Sequence, residues 1–215
     1  MANSSNIRQK KRVAQQENRI TFYQYLDTEI VVGRCAHLFP PHIHKSFCIG
    51  KITCGSAVLL FNDQEAFLRP GDHYVIPPYT PHSLGPVNNE EFGYVVYCFK
   101  NFCGQTILSS IVADAQKYLE KTPAGFDLDV LADTLQVSKY HFCRQFKKEL
   151  GISPYQFYLG EKVKKIRQGL HLNLSLSDLT FDLGFFDQSH LCHTFKKHMG
   201  ISPRQYVLSQ HHFLK

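Results

Sequence analysis

One stretch occurs twice in this chain. Ser138–Leu150 reads SKYHFCRQFKKEL and runs straight into GISP; forty-nine positions on, Asp187–Met199 reads DQSHLCHTFKKHM and runs into GISP again. A repeat of that length is one supersecondary unit used twice. In each copy apolar residues recur every fourth position, Phe142, Phe146 and Leu150 in the first and Leu191, Phe195 and Met199 in the second. That spacing predicts a short helix with one apolar edge. Ser138 and Asp187 are suited to cap the first orphan amides. Gly151 and Gly200 stop the helices where a left-handed residue is needed. At about 100° per residue, Tyr140, Arg144 and Lys147 turn away from the apolar edge, as do Ser189, His193 and Lys196.

Each copy also has a helical segment before it, Leu128–Gln136 (LDVLADTLQ) and Ser177–Gly184 (SDLTFDLG). The pattern is helix, tight turn, helix, twice over, with motifs at 127–150 and 177–199. A helix held by one edge, with cations and hydrogen-bonding groups on the other, suits the major groove of duplex DNA. Residues from about Thr106 to Leu208 resemble the DNA-binding domain of AraC-family transcription regulators. The marks are Leu131–Ala132, Ser138 with the FKK ending at Lys148, GISP at Gly151–Pro154, Gly184–Phe185, DQSH at Asp187–His190, the second FKK at Phe195–Lys197 and GISP at Gly200–Pro203. His193 stands where that family has Arg, and its R-L-x-x-A pattern survives as Lys162, Val163 and Ile166. The resemblance implies base contacts from Tyr140, Arg144, Gln188, Ser189 and His193. Lys139, Lys147 and Lys196 would hold phosphate.

Charge is distributed to match. Residues 1–19 carry five Lys and Arg against one Glu, residues 20–100 five against seven acids, and residues 101–215 fourteen against ten. A polyanion would meet the tail and the repeat half. The polar, basic stretch 1–19 reads as a disordered tail without the apolar core of a secretory signal. No apolar run approaches the roughly 20 residues of a membrane helix. The expectation from that is no membrane partner, and seven cysteines without disulfide spacing point to a reducing cytoplasm and free thiols.

Residues 20–100 change character. Short β-rich runs (Ile30–Val32, Phe47–Ile52, Ala57–Phe61, His73–Ile76, Tyr94–Phe99) alternate with turn signals such as Pro40–Pro41, Gly55 and Pro70–Gly71–Asp72. Regular short strands predict a small sandwich or barrel. The segment resembles a cupin, a jelly-roll barrel carried as sensor by many AraC-family members. The cupin motif H-x-H, Glu, Gly becomes His42, His44, Cys48 and Gly55; the motif Gly, Pro-x-Gly, His becomes Gly71, Pro77-Pro78-Tyr79 and His82. Cys48 replaces the usual Glu and Tyr79 the usual Gly. If the run is extended, residues 42, 44 and 48 share parity and face the interior, where His82 can join them. Three imidazoles and a thiolate suit Zn, Ni, Co or Cu rather than Mg or Ca. Binding by unperturbed imidazoles would weaken below about pH 6.5. Alternatively, the histidines line a pocket for a small organic effector.

The expected organisation is therefore two domains, an all-β cupin-like barrel (20–100) and an all-α domain with two helix-turn-helix motifs (106–215), joined by the short linker 101–105. A helix over 106–121 opens the second domain, a basic helix over 153–172 joins the two motifs, and Ser202–Gln210 closes the domain. The linker leaves no room for dimerisation helices, so the chain is a monomer or a weak homodimer through the barrel. The expected function is a ligand-responsive regulator of a double-stranded DNA operator, with RNA polymerase as a further partner. The competing readings are a cupin metalloenzyme fused to a DNA-binding domain, with His42, His44 and His82 at its centre, and a thiol redox sensor.

Overall fold

The computed structural model describes residues 17–62, 64–100, 108–122 and 124–212. The expected linker and nearly all of the basic tail lie outside them. Nine strands come first: β1 Arg19–Tyr25, β2 Thr28–Cys35, β3 Phe39–His42, β4 Phe47–Cys54, β5 Ala57–Phe61, β6 Gln64–Leu68, β7 His73–Ile76, β8 His82–Pro86 and β9 Phe92–Phe99. They form a four-stranded sheet, β3-β8-β5-β6, and most of a six-stranded sheet that includes β1-β2-β9-β4-β7. Both sheets turn alternate side chains into one core of Cys35, Cys48, Ile52, Leu59, Leu68, Leu84, Phe92 and Tyr94. This is the cupin-like architecture. Pro40–Pro41, which reads as a turn in sequence, lies inside β3. The position tolerates it because β3 is an edge strand, where a missing N–H breaks no ladder.

The helices follow: α1 Ser110–Lys121, α2 Leu128–Thr134, α3 Lys139–Leu150, α4 Pro154–His171, α5 Leu176–Asp182, α6 Gln188–Met199 and α7 Pro203–Leu208. Their ends obey local capping rules. Ser138 and Asp187 accept from the amides of His141 and His190 at 3.3 and 2.7 Å. Gly151 and Gly200 end α3 and α6 at φ 69° and 76°, a region where a Cβ is costly. Ser153 and Ser202 form capping boxes with Gln156 and Gln205, with Pro154 and Pro203 in the first turn. None of the described helices is long and apolar enough to cross a membrane.

The helical half is not a separate body on a short joint. After α7 the chain forms β10, Gln210–His212, which pairs in parallel with β1 and extends the six-stranded sheet. Phe142, Phe146 and Leu150 of α3 pack with α1, α2 and the start of α4. Leu191 and Phe195 of α6 pack with Val163 and Ile166 of α4, and with Ile20 and Phe22 of β1. The second helix-turn-helix thus shares its core with the barrel.

Two cations of the basic helix α4 are internal. Lys162 is 6% exposed, lies 4.2 Å from the centroid of the Phe185 ring and donates to the Gly184 carbonyl at 3.3 Å. Burial lowers its pKa. Arg167 reaches Glu29 of β2 and donates to the Tyr206 hydroxyl at 2.9 Å.

Candidate nucleic-acid interface and histidine cluster

Docking α3 and α6 by their apolar edges leaves the opposite faces to solvent. Lys139, Tyr140, Arg144 and Lys147 are exposed on α3, and Gln188, Ser189, His193 and Lys196 on α6. Arg144 lies 5.7 Å from the centroid of the Tyr140 ring, a cation–π contact that orders two long side chains on one face. Lys139 pairs with Asp129 of α2 at 2.5 Å, so it must exchange that partner before it can hold phosphate. Sequence reasoning misses Phe186. It is 92% exposed and directly precedes the N-cap Asp187. A signal for it exists: a second Phe after Phe185 falls off the four-residue apolar rhythm.

In the barrel, β3 and β8 bring His42 opposite His82 in register. His44 follows two residues after His42, in the segment beyond β3. The rings of His42 and His82 have centroids 4.2 Å apart, and those of His44 and His82 4.7 Å. One ring nitrogen from each of the three lies within 4.8 Å of the others. The turn that delivers His82 is held by the Tyr79 amide donating to the His44 carbonyl at 2.8 Å. Tyr79 has φ 57°. A left-handed residue at that point is why the cupin motif carries Gly there.

Each imidazole is oriented by a backbone carbonyl. The Nδ1 atoms of His42, His44 and His82 lie 2.9, 2.8 and 2.8 Å from the carbonyl oxygens of Pro40, Ser46 and Thr80. A neutral ring that donates from Nδ1 presents a bare lone pair at Nε2. Burial keeps all three neutral. It pushes His42 down to about 4, with His44 adding to the effect. It also lowers His44, and lowers His82 well below the ordinary range with help from both neighbours. The expected loss of metal near pH 6.5 therefore moves to lower pH. Three neutral, backbone-oriented nitrogens fit Zn or another late transition metal. Ile52, Phe92 and Tyr94 belong to the core of the barrel.

Cys48 does not join the three nitrogens. Its Sγ lies 3.7 Å from His44 Nε2, but its thiol donates to the Cys98 sulfur, 3.0 Å away on the facing position of β9. That hydrogen bond, then burial, pushes the thiol far up and away from thiolate. The parity expectation needs an unbroken strand from 42 to 48, and residues 43–46 lie between β3 and β4, with bends at 45 and 46. Cys48→Ser should therefore change Zn affinity by no more than about threefold, whereas His82→Ala should lower it beyond the roughly 100-fold typical of losing even an outer-shell partner. Competition with a chromophoric chelator measures both, and a large effect of Cys48→Ser would return the sulfur to the ligand set.

The chain matches the model of an AraC-like ligand binding domain over residues 32–134 and that of a helix-turn-helix domain over residues 131–208. It is similar to the uncharacterized HTH-type transcriptional regulator YbfI of Bacillus subtilis (strain 168), 23% identical over 221 positions that cover 70% of this chain and 80% of the relative. Among solved structures it is similar to the C-terminal domain of AraT, a response regulator from Geobacillus stearothermophilus (30% identity, TM-score 0.46, 47% of this chain and 87% of that one). It is also similar to a cupin superfamily protein from Desulfitobacterium hafniense DCB-2 (18% identity, TM-score 0.36, 40% and 79%).

Proposed function

We propose that this chain, which belongs to the AraC family of transcription regulators, reads an operator with α3 and α6 and answers to a late transition metal held by His42, His44 and His82. The single observation that carries the DNA reading is the duplicated helix, capped alike in both copies and turned outward by the same apolar edge. Two such helices on one frame suit successive major grooves, about 34 Å apart along one side of the duplex. Arg144 and Tyr140 in the first helix, and Gln188, Ser189 and His193 in the second, would read base edges. Lys147 and Lys196 would hold phosphate, with Lys139 once it leaves Asp129. The metal reading is supported by the three lone pairs fixed by Pro40, Ser46 and Thr80. A metal bound there supplies a charge and three bonds between segments of the barrel; no chemistry on a substrate is required of it.

The test is direct. A duplex selected by the full chain from random sequence should be bound less tightly by Arg144→Ala, by about 1–3 kcal/mol, with specificity relaxed at one position. Lys196→Ala should weaken binding to all sequences alike and reduce the salt slope by about 1. Failure of the full chain to bind any duplex at low salt would sink the reading.

A further inference from the structure

The histidine cluster lies at the seam between barrel and helices. Ile43, between His42 and His44, packs against the core of the first helix-turn-helix. Lys45 pairs with Glu120 of α1 at 2.8 Å. Pro81, immediately before His82, lies against the residue that ends α3: a Cβ on Gly151 would meet Pro81 Cγ at 2.3 Å. The segments that hold two sides of the cluster are therefore also the segments that touch α1–α3.

The second helix-turn-helix is attached differently. Ile20 and Phe22 of β1 belong to its core. β10 pairs with β1, Arg167 reaches Glu29, and Asn18 donates to the Gly200 carbonyl at 2.6 Å. His37 and Phe39 also touch the end of α6, and Phe39 packs into the same shared core. α6 is thus held on both sheets, by β1 of the six-stranded one and by Phe39 of β3, the strand that ends at His42.

We infer that filling the histidine cluster repositions the first helix-turn-helix relative to the second, with Ile43 and Pro81 as the positioning residues. This rests on the metal reading of the cluster. One nitrogen of each ring lies within 4.8 Å of the others, a spacing wider than bonds of about 2 Å to a common ion leave; coordination would draw the rings together. Ile43 and Pro81 are one peptide bond from the residues that carry those rings, and close-packed interiors pass such shifts on as changes of packing rather than as soft deformation. The second motif is anchored at many points besides β3, through β10, Ile20, Phe22, Glu29 and Asn18, so the first, held through the segments next to the histidines, is the part that moves. Two helices must meet the duplex in phase, so a displacement of one alters the fit to a given operator.

Hydrogen–deuterium exchange on the full chain, with and without Zn(II), tests this. Zn(II) should slow exchange in α2 and α3 by about fivefold or more, the lower end of ordinary coupling, and in α5 and α6 by less than about twofold. Ile43→Val and Pro81→Ala should keep Zn(II) affinity and lose most of that response; Pro81→Ala, outside the helical core, serves if the Ile43 variant loosens α1–α3. Zn(II) binding with unchanged exchange in α2–α3, or with an equal change in α5–α6, overturns the coupling and leaves the metal site standing. Absence of Zn(II) binding, or binding undiminished in His82→Ala, overturns the metal reading and the coupling with it.

Discussion

Arg167→Ala should lower the stability of the chain by about 3–5 kcal/mol, the cost of breaking a buried ion pair from one side. The guanidinium bonds to the Glu29 carboxylate, with 27% and 14% of the two side chains exposed. It also donates to the Tyr206 hydroxyl at 2.9 Å and lies over the rings of Phe22 and Tyr206. Truncation leaves the carboxylate of Glu29 enclosed without its cation and opens space between α4, α7 and β1. For a chain of this size the midpoint of thermal unfolding should fall by roughly 6–20 °C. The double variant Glu29→Gln, Arg167→Ala should recover part of the loss, because the stranded charge is gone. A loss below about 1 kcal/mol, the range of an exposed pair, would mean that water reaches this contact freely.

The second large effect is loss of stability in acid. In the unfolded chain each imidazole takes up a proton near pH 6.5. Folded His42 does so only at about 4, because burial and the neighbouring His44 disfavour its charge. Between those values the unfolded state binds more protons, so stability falls as the pH falls. The contribution is fully present above pH 6.5 and is lost progressively towards pH 4. For His42 it amounts to about 3 kcal/mol. His44 and His82 shift in the same direction, but three rings in contact titrate as a group, and their effects do not simply sum. Urea unfolding of metal-free protein at pH 7 and pH 4.5 measures the loss. His42→Gln should flatten the profile, and equal stability of the wild-type chain at the two values would show that the cluster is open to water.

Much of the helical half is legible in the amino-acid order alone. Caps at Ser138 and Asp187, stops at Gly151 and Gly200, and the apolar rhythm of Phe142, Phe146, Leu191 and Phe195 act within a few residues, so they can be read from a few residues. The strands are less legible. The β-rich runs coincide with β2, β4, β5, β7 and β9, while β1, β3, β6, β8 and β10 escape that pattern. β3 is hidden by its prolines, and β10 is three residues long and exists only because β1 offers it an edge.

Local sequence suffices for the two helix-turn-helix units, the outward faces of α3 and α6, and the histidines at 42, 44 and 82. Each of these rests on short-range spacing or on a motif whose period is set by one element's geometry. Three other features arise only when the chain packs. Cys48 leaves the histidine group for Cys98, because the break after β3 cancels the parity of an extended strand. Lys162 and Arg167 become internal, because a long helix wedged between two cores has little solvent face where they sit. The second helix-turn-helix fuses to the sheet, and Ile43 and Pro81 come to lie against the first. Contacts between residues distant in the chain depend on which surfaces remain unburied once every element has formed, and no short-range pattern in the chain records that.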